Sequence, residues 1–236
     1  MGLEVSSEGQ SAGFPFGARL TGVRVSSIGP SSSGLLIESP SVTLAPALLS
    51  MFTLHPGVRV KAALYDGVVN VMLRPRRGGT DISYDLDSVD IARQRLLMIP
   101  GAAAGGMLSG SGKLWLSPAE IAQTGEGVLS ATGLTFTSPF AEAPIRLGEG
   151  HSKFKLDQGT LTIEEFTTTG GDLMLTAEGT VQFAPTAGQS VLAIQFTLTP
   201  ALSAAPQMQV LLAMLPHPPS SQPYYLSGTL NAPRIS

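Results

Sequence analysis

The stretch Val58–Pro75, VRVKAALYDGVVNVMLRP, decides the fold class of this chain. In both of its halves apolar residues alternate with polar ones, which is the period of a half-buried β-strand. The halves meet at Asp66-Gly67, a dipeptide that favours the positive φ angles of a tight hairpin turn. The stretch therefore predicts a β-hairpin with one apolar and one polar face.

The same alternation continues toward the C-terminus. Residues 159–185, GTLTIEEFTTTGGDLMLTAEGTVQFAP, predict three successive strands, separated at Gly170-Gly171 and at Glu178-Gly179. Residues 191–200, VLAIQFTLTP, place four apolar side chains on one face of a further strand, and residues 224–233, YYLSGTLNAP, predict the last strand. Strands that follow one another so closely are typical of an antiparallel sheet.

The glycine-rich stretch Gly105–Pro118, GGMLSGSGKLWLSP, has a superficial likeness to a phosphate-binding loop. Such a loop requires glycine at position 107, where Met107 stands, and a hydroxyl residue after Lys113, where Leu114 stands. We therefore interpret the glycines as strand starts and turns that permit positive φ and bulges. The same pattern recurs at Gly67, Gly112, Gly127, Gly133, Gly159, Gly179 and Gly228.

Helical spacing is confined to three short segments that end at proline. They are Ala45–Pro56, Asp87–Gly101 and Ala205–Pro219. In the second, Asp87 or Ser88 would cap the helix, since Asp and Ser are favoured N-cap residues. We expect these two or three helices to cover part of a sheet.

The same region contains an acidic cluster, Asp81, Asp85, Asp87 and Asp90. The spacing of Asp85 and Asp87 begins like a calcium loop, but the glycine at position six and the closing glutamate are missing. Asp90 in the first turn of a helix explains the cluster better, because helix N-termini favour negative charge. We predict no metal site.

The composition limits the function classes. The net charge is −3 and only 13% of the residues are charged, so the basic surface that nucleic-acid binding needs is missing. The chain has no cysteine, which excludes disulfides and thiolate chemistry. A length of 236 residues suits one large β domain or two small ones, and we expect a single domain over residues 1–236.

No residue pattern predicts catalysis. The three histidines, His55, His151 and His217, lie apart from one another, and two of them precede prolines in apparent loops. Glu164-Glu165 would point to opposite faces of a strand and so could not act on one bond. No nucleophile elbow is present. We predict no catalytic residue and no cofactor.

The fold class that follows is mainly β, with a large curved antiparallel sheet and two or three short helices. The apolar faces need cover, so the sheet is either an open groove or an incomplete barrel or sandwich. Sequence alone does not choose between these. The candidate groove consists of large apolar residues from several strands: Leu114, Leu116, Leu161, Ile163, Leu173, Leu175, Ile194, Phe196 and Leu198.

Over about residues 57–235 the order of these features resembles a known family. The matching pieces are ALYDGVVNVML (63–73), MIPGAAAGGMLSGSGKLWL (98–116), LDQGTLTIEEFTTTGGDLMLTAEGTVQF (156–183), FTLTP (196–200) and YLSGTLNAPRI (225–235). They resemble the periplasmic part of type II secretion system protein N, the GspN family. The pattern is also similar to that of AsmA and TamB-like proteins.

The resemblance implies a protein on the periplasmic side of the bacterial inner membrane, anchored by one N-terminal transmembrane helix. Because Met1-Gly2 runs directly into strand-like sequence, we expect that helix to lie upstream of the residues given. The resemblance further implies no enzyme activity and other type II secretion subunits as partners. The likeness to AsmA implies an alternative, the binding of lipid or another hydrophobic ligand in an apolar β groove.

Overall fold

The computed structural model describes residues 2–13, 17–28, 35–47, 57–93, 103–117, 123–137, 143–184, 187–201, 212, 218–219 and 222–236. These residues form fifteen β-strands. They are β1 (Gly2–Ser6), β2 (Gly9–Gly13), β3 (Gly17–Ile28), β4 (Leu35–Pro46), β5 (Val58–Leu64), β6 (Gly67–Arg76), β7 (Gly79–Asp90), β8 (Ala103–Leu116), β9 (Gln123–Thr137), β10 (Ile145–Asp157), β11 (Thr160–Gly170), β12 (Leu173–Gln182), β13 (Val191–Pro200), β14 (Tyr224–Thr229) and β15 (Ala232–Ile235).

All fifteen strands belong to one open sheet. The strand order is β1-β3-β4 and then each strand in sequence to β15, while β2 also pairs with β3. The sheet does not close, and the described residues contain almost no helix beyond the 3-10 turns Ile91–Arg93 and Ala187–Gln189. The predicted mainly β class with a large antiparallel sheet is confirmed, and the structure shows that this sheet is open.

The hairpin predicted over Val58–Pro75 forms as β5 and β6. Leu64 pairs with Gly67, so the two-residue turn consists of Tyr65 and Asp66. Their φ angles are 47° and 66°, as a type I′ turn requires. Gly67 is the first residue of β6 rather than part of the turn.

Two strand boundaries differ from the prediction. Glu178-Gly179 does not separate strands, since β12 runs through it and Gly179 pairs with Ile194. The φ of Gly179 is +146°, and a Cβ there would collide with the Ala193 carbonyl. This glycine therefore permits close strand approach instead of a turn. The predicted last strand is in fact a hairpin, β14 and β15, with Leu230 and Asn231 in the turn.

The helix predicted over Asp87–Gly101 is wrong at its start. β7 continues to Asp90, and a 3-10 turn follows at Ile91–Arg93. Ser88 has a φ of +53°, a conformation that interrupts the alternation of inward and outward side chains. The prediction rested on the helical spacing of Val89, Ala92, Leu96 and Ile99, of which Val89 lies on β7, Ala92 lies in the 3-10 turn and the other two lie outside the described residues.

The other two predicted helices lie largely outside the described residues. Ala45 and Pro46 belong to β4, and residues 48–56 are not described. Within Ala205–Pro219 the structure describes Leu212, Pro218 and Pro219, of which Leu212 is helical. Its side chain packs against the core of the sheet near Ile145.

The chain divides into two compact units. The first comprises residues 1–90 and 109–125, and the second comprises residues 91–108 and 126–236. β8 and β9 therefore contribute residues to both. The single domain over residues 1–236 stays a prediction.

In the first unit, buried side chains and a hydrogen bond connect β3, β4 and β5. Val23 pairs with Ser39, and both are buried. The Ser39 hydroxyl donates a hydrogen bond to the Ala63 carbonyl at 2.5 Å, so its burial leaves no unpaired donor. On the surface, the Arg24 guanidinium contacts carboxylates of Glu8 and Glu38 at 2.9 and 3.2 Å. Exposed pairs of this kind add little stability.

The second unit has a small core around Ile145 and Leu173. Phe136, Leu147, Leu198 and Leu212 pack against this pair. Beside it lies Thr168, which is fully buried. The Thr168 hydroxyl accepts a hydrogen bond from the backbone N–H of Leu175 at 2.9 Å. This side chain thus extends the β11–β12 pairing beyond Thr167 and Thr176, the last matched pair.

Replacing Thr168 by valine is expected to lower the free energy of unfolding by about 1–3 kcal/mol, because the Leu175 N–H loses its acceptor beside the buried Thr168 side chain. Urea unfolding measures this change. Thr168→Ser keeps the hydroxyl and should retain most of the stability. Thr169→Val, at an exposed neighbour on the same strand, should stay within about 0.5 kcal/mol of the wild type. Equal losses for Thr168→Val and Thr168→Ser would contradict the assigned hydrogen bond.

Candidate functional site

The candidate groove residues of the second unit are brought together by strand register. β12 and β13 pair so that Leu175 lies opposite Leu198 and Ala177 opposite Phe196. Directly paired residues of an antiparallel sheet project from the same face. Leu173, Leu175, Ile194, Phe196 and Leu198 therefore share one face of the sheet. We call it the apolar face.

β11 adds Leu161 and Ile163 to the apolar face, because they pair with Val181 and Gly179 of β12. The register then shifts between Ile163 and Phe166. This bulge brings Phe166 opposite Ala177, on the apolar face, although simple alternation would have placed Glu165 there. Seven of the nine predicted groove residues thus lie on one face.

Several residues of the apolar face were not predicted from the sequence. Phe166 is reached only through the bulge, and the Glu-Glu pair inside an apolar alternation was the signal for it. Leu226 and Tyr224 follow from the pairing of β13 with β14. The strand register adds further large apolar members, which are Phe154, Leu156, Phe166, Val181, Leu192, Tyr224, Leu226 and Ile235.

The remaining two predicted groove residues, Leu114 and Leu116, lie on β8 within the first unit. Both are half-buried. The nine residues are therefore divided between the units, and the apolar face of the second unit contains seven of them.

The apolar face is only partly shielded from solvent. Leu173 is 8% exposed, whereas Leu161, Ile163, Leu175, Ile194, Phe196 and Leu198 are all half-buried. Side chains of a closed core are normally almost fully buried. A face of this extent that remains half-buried can accept further apolar contacts.

Tyr224 is the most deeply buried residue of the apolar face. It is 0% exposed, and its ring stacks on Phe196 with centroids 5.2 Å apart and planes inclined by 23°. Burial raises the pKa of the Tyr224 hydroxyl above its ordinary value. The phenol is therefore neutral near neutral pH.

The opposite face of the same strands is polar. It includes Thr162, Thr176, Thr180 and Thr197, and Thr176 and Thr197 are paired across β12 and β13. Their hydroxyl oxygens are hydrogen-bonded to each other. Alternation between an apolar and a polar face is typical of a sheet with one covered and one solvated side.

The bulge also changes the geometry predicted for Glu164 and Glu165. Both are exposed on the polar face, where Glu164 forms an ion pair with Lys155 and Glu165 lies opposite Lys153. The expectation that they point to opposite faces is wrong here, because the extra residue of a bulge disrupts the alternation. The hydrogen bond with Glu164 raises the pKa of Lys155.

At one end of the second unit, Arg146 binds Asp172 through two hydrogen bonds. Arg146 Nη2 donates to Oδ1 at 2.7 Å and Nε donates to Oδ2 at 3.0 Å. The Asp172 side chain is 18% exposed, and its backbone N–H donates to the Arg146 carbonyl at 2.7 Å. The hydrogen bond with Arg146 lowers the pKa of Asp172. The pair ties the β11–β12 turn to the start of β10.

Asp172→Asn is expected to lower the melting temperature at pH 7 by about 2–4 °C. The charge of Asp172 stabilises the fold fully above the ordinary Asp pKa of about 3.9, and this contribution is lost as the pH falls through the lowered folded-state pKa. Thermal unfolding between pH 7 and pH 2.5 should therefore show the two curves converging at the acidic end. Asp157→Asn, at an exposed position, is the control and should change little at any pH. A difference that persists undiminished at pH 2.5 would refute the electrostatic explanation.

The other residues considered for chemistry do not form a site in the described part of the chain. His151 is exposed on β10, while His55 and His217 lie outside the described residues. Asp81 forms an ion pair with Arg76, and Asp85 and Asp87 are exposed on β7. Among the described residues no three His, Asp or Glu side chains are placed to hold a metal ion.

The β15 edge of the sheet carries a proline at a position where a pairing strand would need a donor. Tyr225 and Ser236 exchange both backbone hydrogen bonds. By alternation, the backbone N–H and C=O of Arg234 also point toward β14. The backbone groups of Pro233 and Ile235 consequently point away from β14, where an added strand would pair. Because proline has no N–H, this edge is a poor template for another strand. The β1 edge has no proline between Gly2 and Ser6.

The chain was compared with known proteins at three levels. No family model, no curated protein and no solved structure matches it. In the described part of the chain, no helix is both long and apolar enough to cross a membrane.

Proposed function

We propose that this chain is a non-enzymatic component of a bacterial type II secretion system, located on the periplasmic side of the inner membrane and acting through protein contacts. The support is the resemblance stated above, whose motifs, where the structure describes them, fall on the strands and hairpins of one open antiparallel sheet. An open sheet retains edges at which a partner strand can add. Since Pro233 blocks part of the β15 edge, the β1 edge is the better candidate for such a contact.

Site-specific photo-crosslinking in the native envelope tests this proposal. A photoreactive residue in place of Val5, which is 62% exposed on edge strand β1, should crosslink to a secretion subunit identified by mass spectrometry. Val128, 47% exposed but on the interior strand β9, is the matched control and should give no such product. Recovery of no secretion subunit from several β1 positions would count against the proposal.

A second candidate function is the binding of a lipid or another hydrophobic ligand, and it rests on the apolar face of the second unit. The face crosses β10 to β15, which corresponds to a width of roughly 24 Å at about 4.8 Å per strand spacing. Most of its large side chains are half-buried, although Leu173, Leu192 and Tyr224 are buried. Covering them with a hydrocarbon chain would contribute roughly 25 cal/mol for each Å² removed from water.

Native mass spectrometry with organic extraction tests the second candidate on protein purified without detergent. The wild type should carry phospholipid or fatty acid, and Leu161→Glu/Leu175→Glu should lose it because two charges would enter the apolar face. Thr162→Glu/Met174→Glu, on the polar face of the same strands, is the matched control and should retain it. Leu161→Gln provides a milder variant, and far-UV circular dichroism verifies the fold. A wild type free of lipid would refute this function.

A further inference from the structure

Three large apolar side chains lie exposed at one end of the second unit. Phe183 is 51%, Val191 47% and Leu230 48% exposed. They come from adjacent elements: Phe183 follows β12, Val191 begins β13, and Leu230 lies in the β14–β15 turn. We call these three residues the apolar tip.

The backbone around the apolar tip is fixed by hydrogen bonds. Ser190, which is fully buried, accepts the Leu230 N–H at its carbonyl and the Ala184 N–H at its hydroxyl, at 3.0 and 3.2 Å. The Phe183 N–H donates to the Gly159 carbonyl at 2.8 Å. The three side chains are therefore presented on ordered backbone rather than on a loose loop.

Through Phe183 the apolar tip adjoins the apolar face, whereas Val191 projects from the polar face, so the tip presents side chains on both sides of the end of the sheet. Val181, opposite Leu161 and Leu192 on that face, precedes Phe183 by two residues. Hydrocarbon in contact with the tip would thus lie next to the end of the face. Val191 pairs with Gln182 on one side and Thr229 on the other, so its direct strand neighbours carry no charge.

The exposed apolar area of the tip favours a lipid surface over a protein partner. Three half-exposed side chains offer on the order of 250 Å² of apolar surface. A stable protein–protein interface needs about 800 Å² from each partner. A lipid surface has no such threshold, because a few apolar side chains can insert among acyl chains with the reversible affinity of a single lipid anchor.

We propose that the apolar tip docks this protein onto a lipid bilayer, with Phe183, Val191 and Leu230 inserted into the interface. The inference rests on the membrane-side location proposed above. It adds a contact with lipid that needs neither a transmembrane anchor nor a protein partner. Because Gln182 and Thr229 are the direct neighbours of Val191, the attraction is hydrophobic and depends little on salt.

Flotation with phosphatidylcholine vesicles tests the proposal on the purified chain. The wild type should partition onto the vesicles, equally at 50 mM and 500 mM salt, and Phe183→Ser/Leu230→Ser should reduce the partition coefficient at least tenfold. Met174→Ser is the matched control, since Met174 is 40% exposed near the opposite end of β12. It should bind as the wild type does. No wild-type binding, or equal losses in both variants, would overturn the proposal.

Fluorescence gives a readout that does not depend on the stability of the serine variants. The chain contains no cysteine, so a single Leu230→Cys or Met174→Cys variant can be labelled with an environment-sensitive dye. Vesicles should shift the emission of the Leu230→Cys label to the blue and leave the Met174→Cys label unchanged. If the label does not respond while crosslinking at Val5 still captures a secretion subunit, the docking proposal fails and the proposed function stands. If the emission of the label shifts and crosslinking at Val5 captures no secretion subunit, the docking proposal stands and the proposed function fails.

Discussion

Tyr224→Ala is expected to lower the free energy of unfolding by about 3–5 kcal/mol, the range for removing a large aromatic side chain from a packed site. The ring is completely buried, and it stacks on Phe196. Its removal would leave a cavity between β13 and β14 that the sheet backbone cannot close. Urea unfolding followed by far-UV circular dichroism measures the loss.

Two neighbouring changes distinguish this explanation from a general sensitivity of β14. Tyr224→Phe keeps the ring and removes only the hydroxyl, so it should cost a fraction of the alanine effect. Tyr225→Ala changes the same residue type one position on, where the side chain is 50% exposed on the polar face. It should stay within about 0.5 kcal/mol of the wild type. If Tyr225→Ala were as damaging as Tyr224→Ala, stacking and burial would not be the cause.

Gly148→Ala is expected to destabilise the second unit by roughly 2–5 kcal/mol. Gly148 has a φ of +80°, which costs an alanine about 1–2 kcal/mol. A Cβ at this position would also meet the Thr169 carbonyl and lie 2.7 Å from the Gly171 nitrogen. Because these obstacles are backbone atoms, the β10–β11 pairing would have to shift, which adds an overpacking cost of about 1–3 kcal/mol.

Gly170 provides a matched control for Gly148. The two glycines lie directly opposite each other in the β10–β11 register. Gly170 has nearly the same φ, +78°, but a Cβ there would meet no atom within 4 Å. Gly170→Ala should therefore incur only the conformational cost of about 1–2 kcal/mol. The difference between the two variants, measured by thermal unfolding, isolates the steric contribution. Equal losses would mean that the close approach of Thr169 and Gly171 is relieved without cost.

Alternation along single strands predicted much of this fold correctly. The β5–β6 hairpin and the apolar stripe of β13 follow from period-two patterns that remain uninterrupted. Where a residue with positive φ or a bulge interrupts a strand, the same reasoning failed. Ser88, predicted as a helix N-cap, has a positive φ inside β7, and the Glu164-Glu165 bulge concealed Phe166. Such breaks depend on how neighbouring strands pair, which is not encoded at a single position.

The candidate site shows the same division. Seven of the predicted residues share a face. Side chains two positions apart on one strand point to the same side, and directly paired residues of the next strand point to that side too. Leu114 and Leu116 obey the same spacing but belong to the first unit. Which strands belong to the same unit is a property of tertiary contacts, so composition and periodicity could not separate them. Tyr224 was missed because its burial depends on stacking against Phe196 of another strand.

The order of the strands has a consequence for how the sheet is assembled. From β3 onward each strand pairs with the one that precedes it in the chain, so most pairings close short loops. Short loops lose little entropy on closure, and contacts that are local in sequence favour fast folding. The sheet can therefore grow strand by strand as the chain leaves the ribosome, each new hairpin being templated on the last. Assembly of this kind resembles the propagation of a repeat array more than the collapse of a globule.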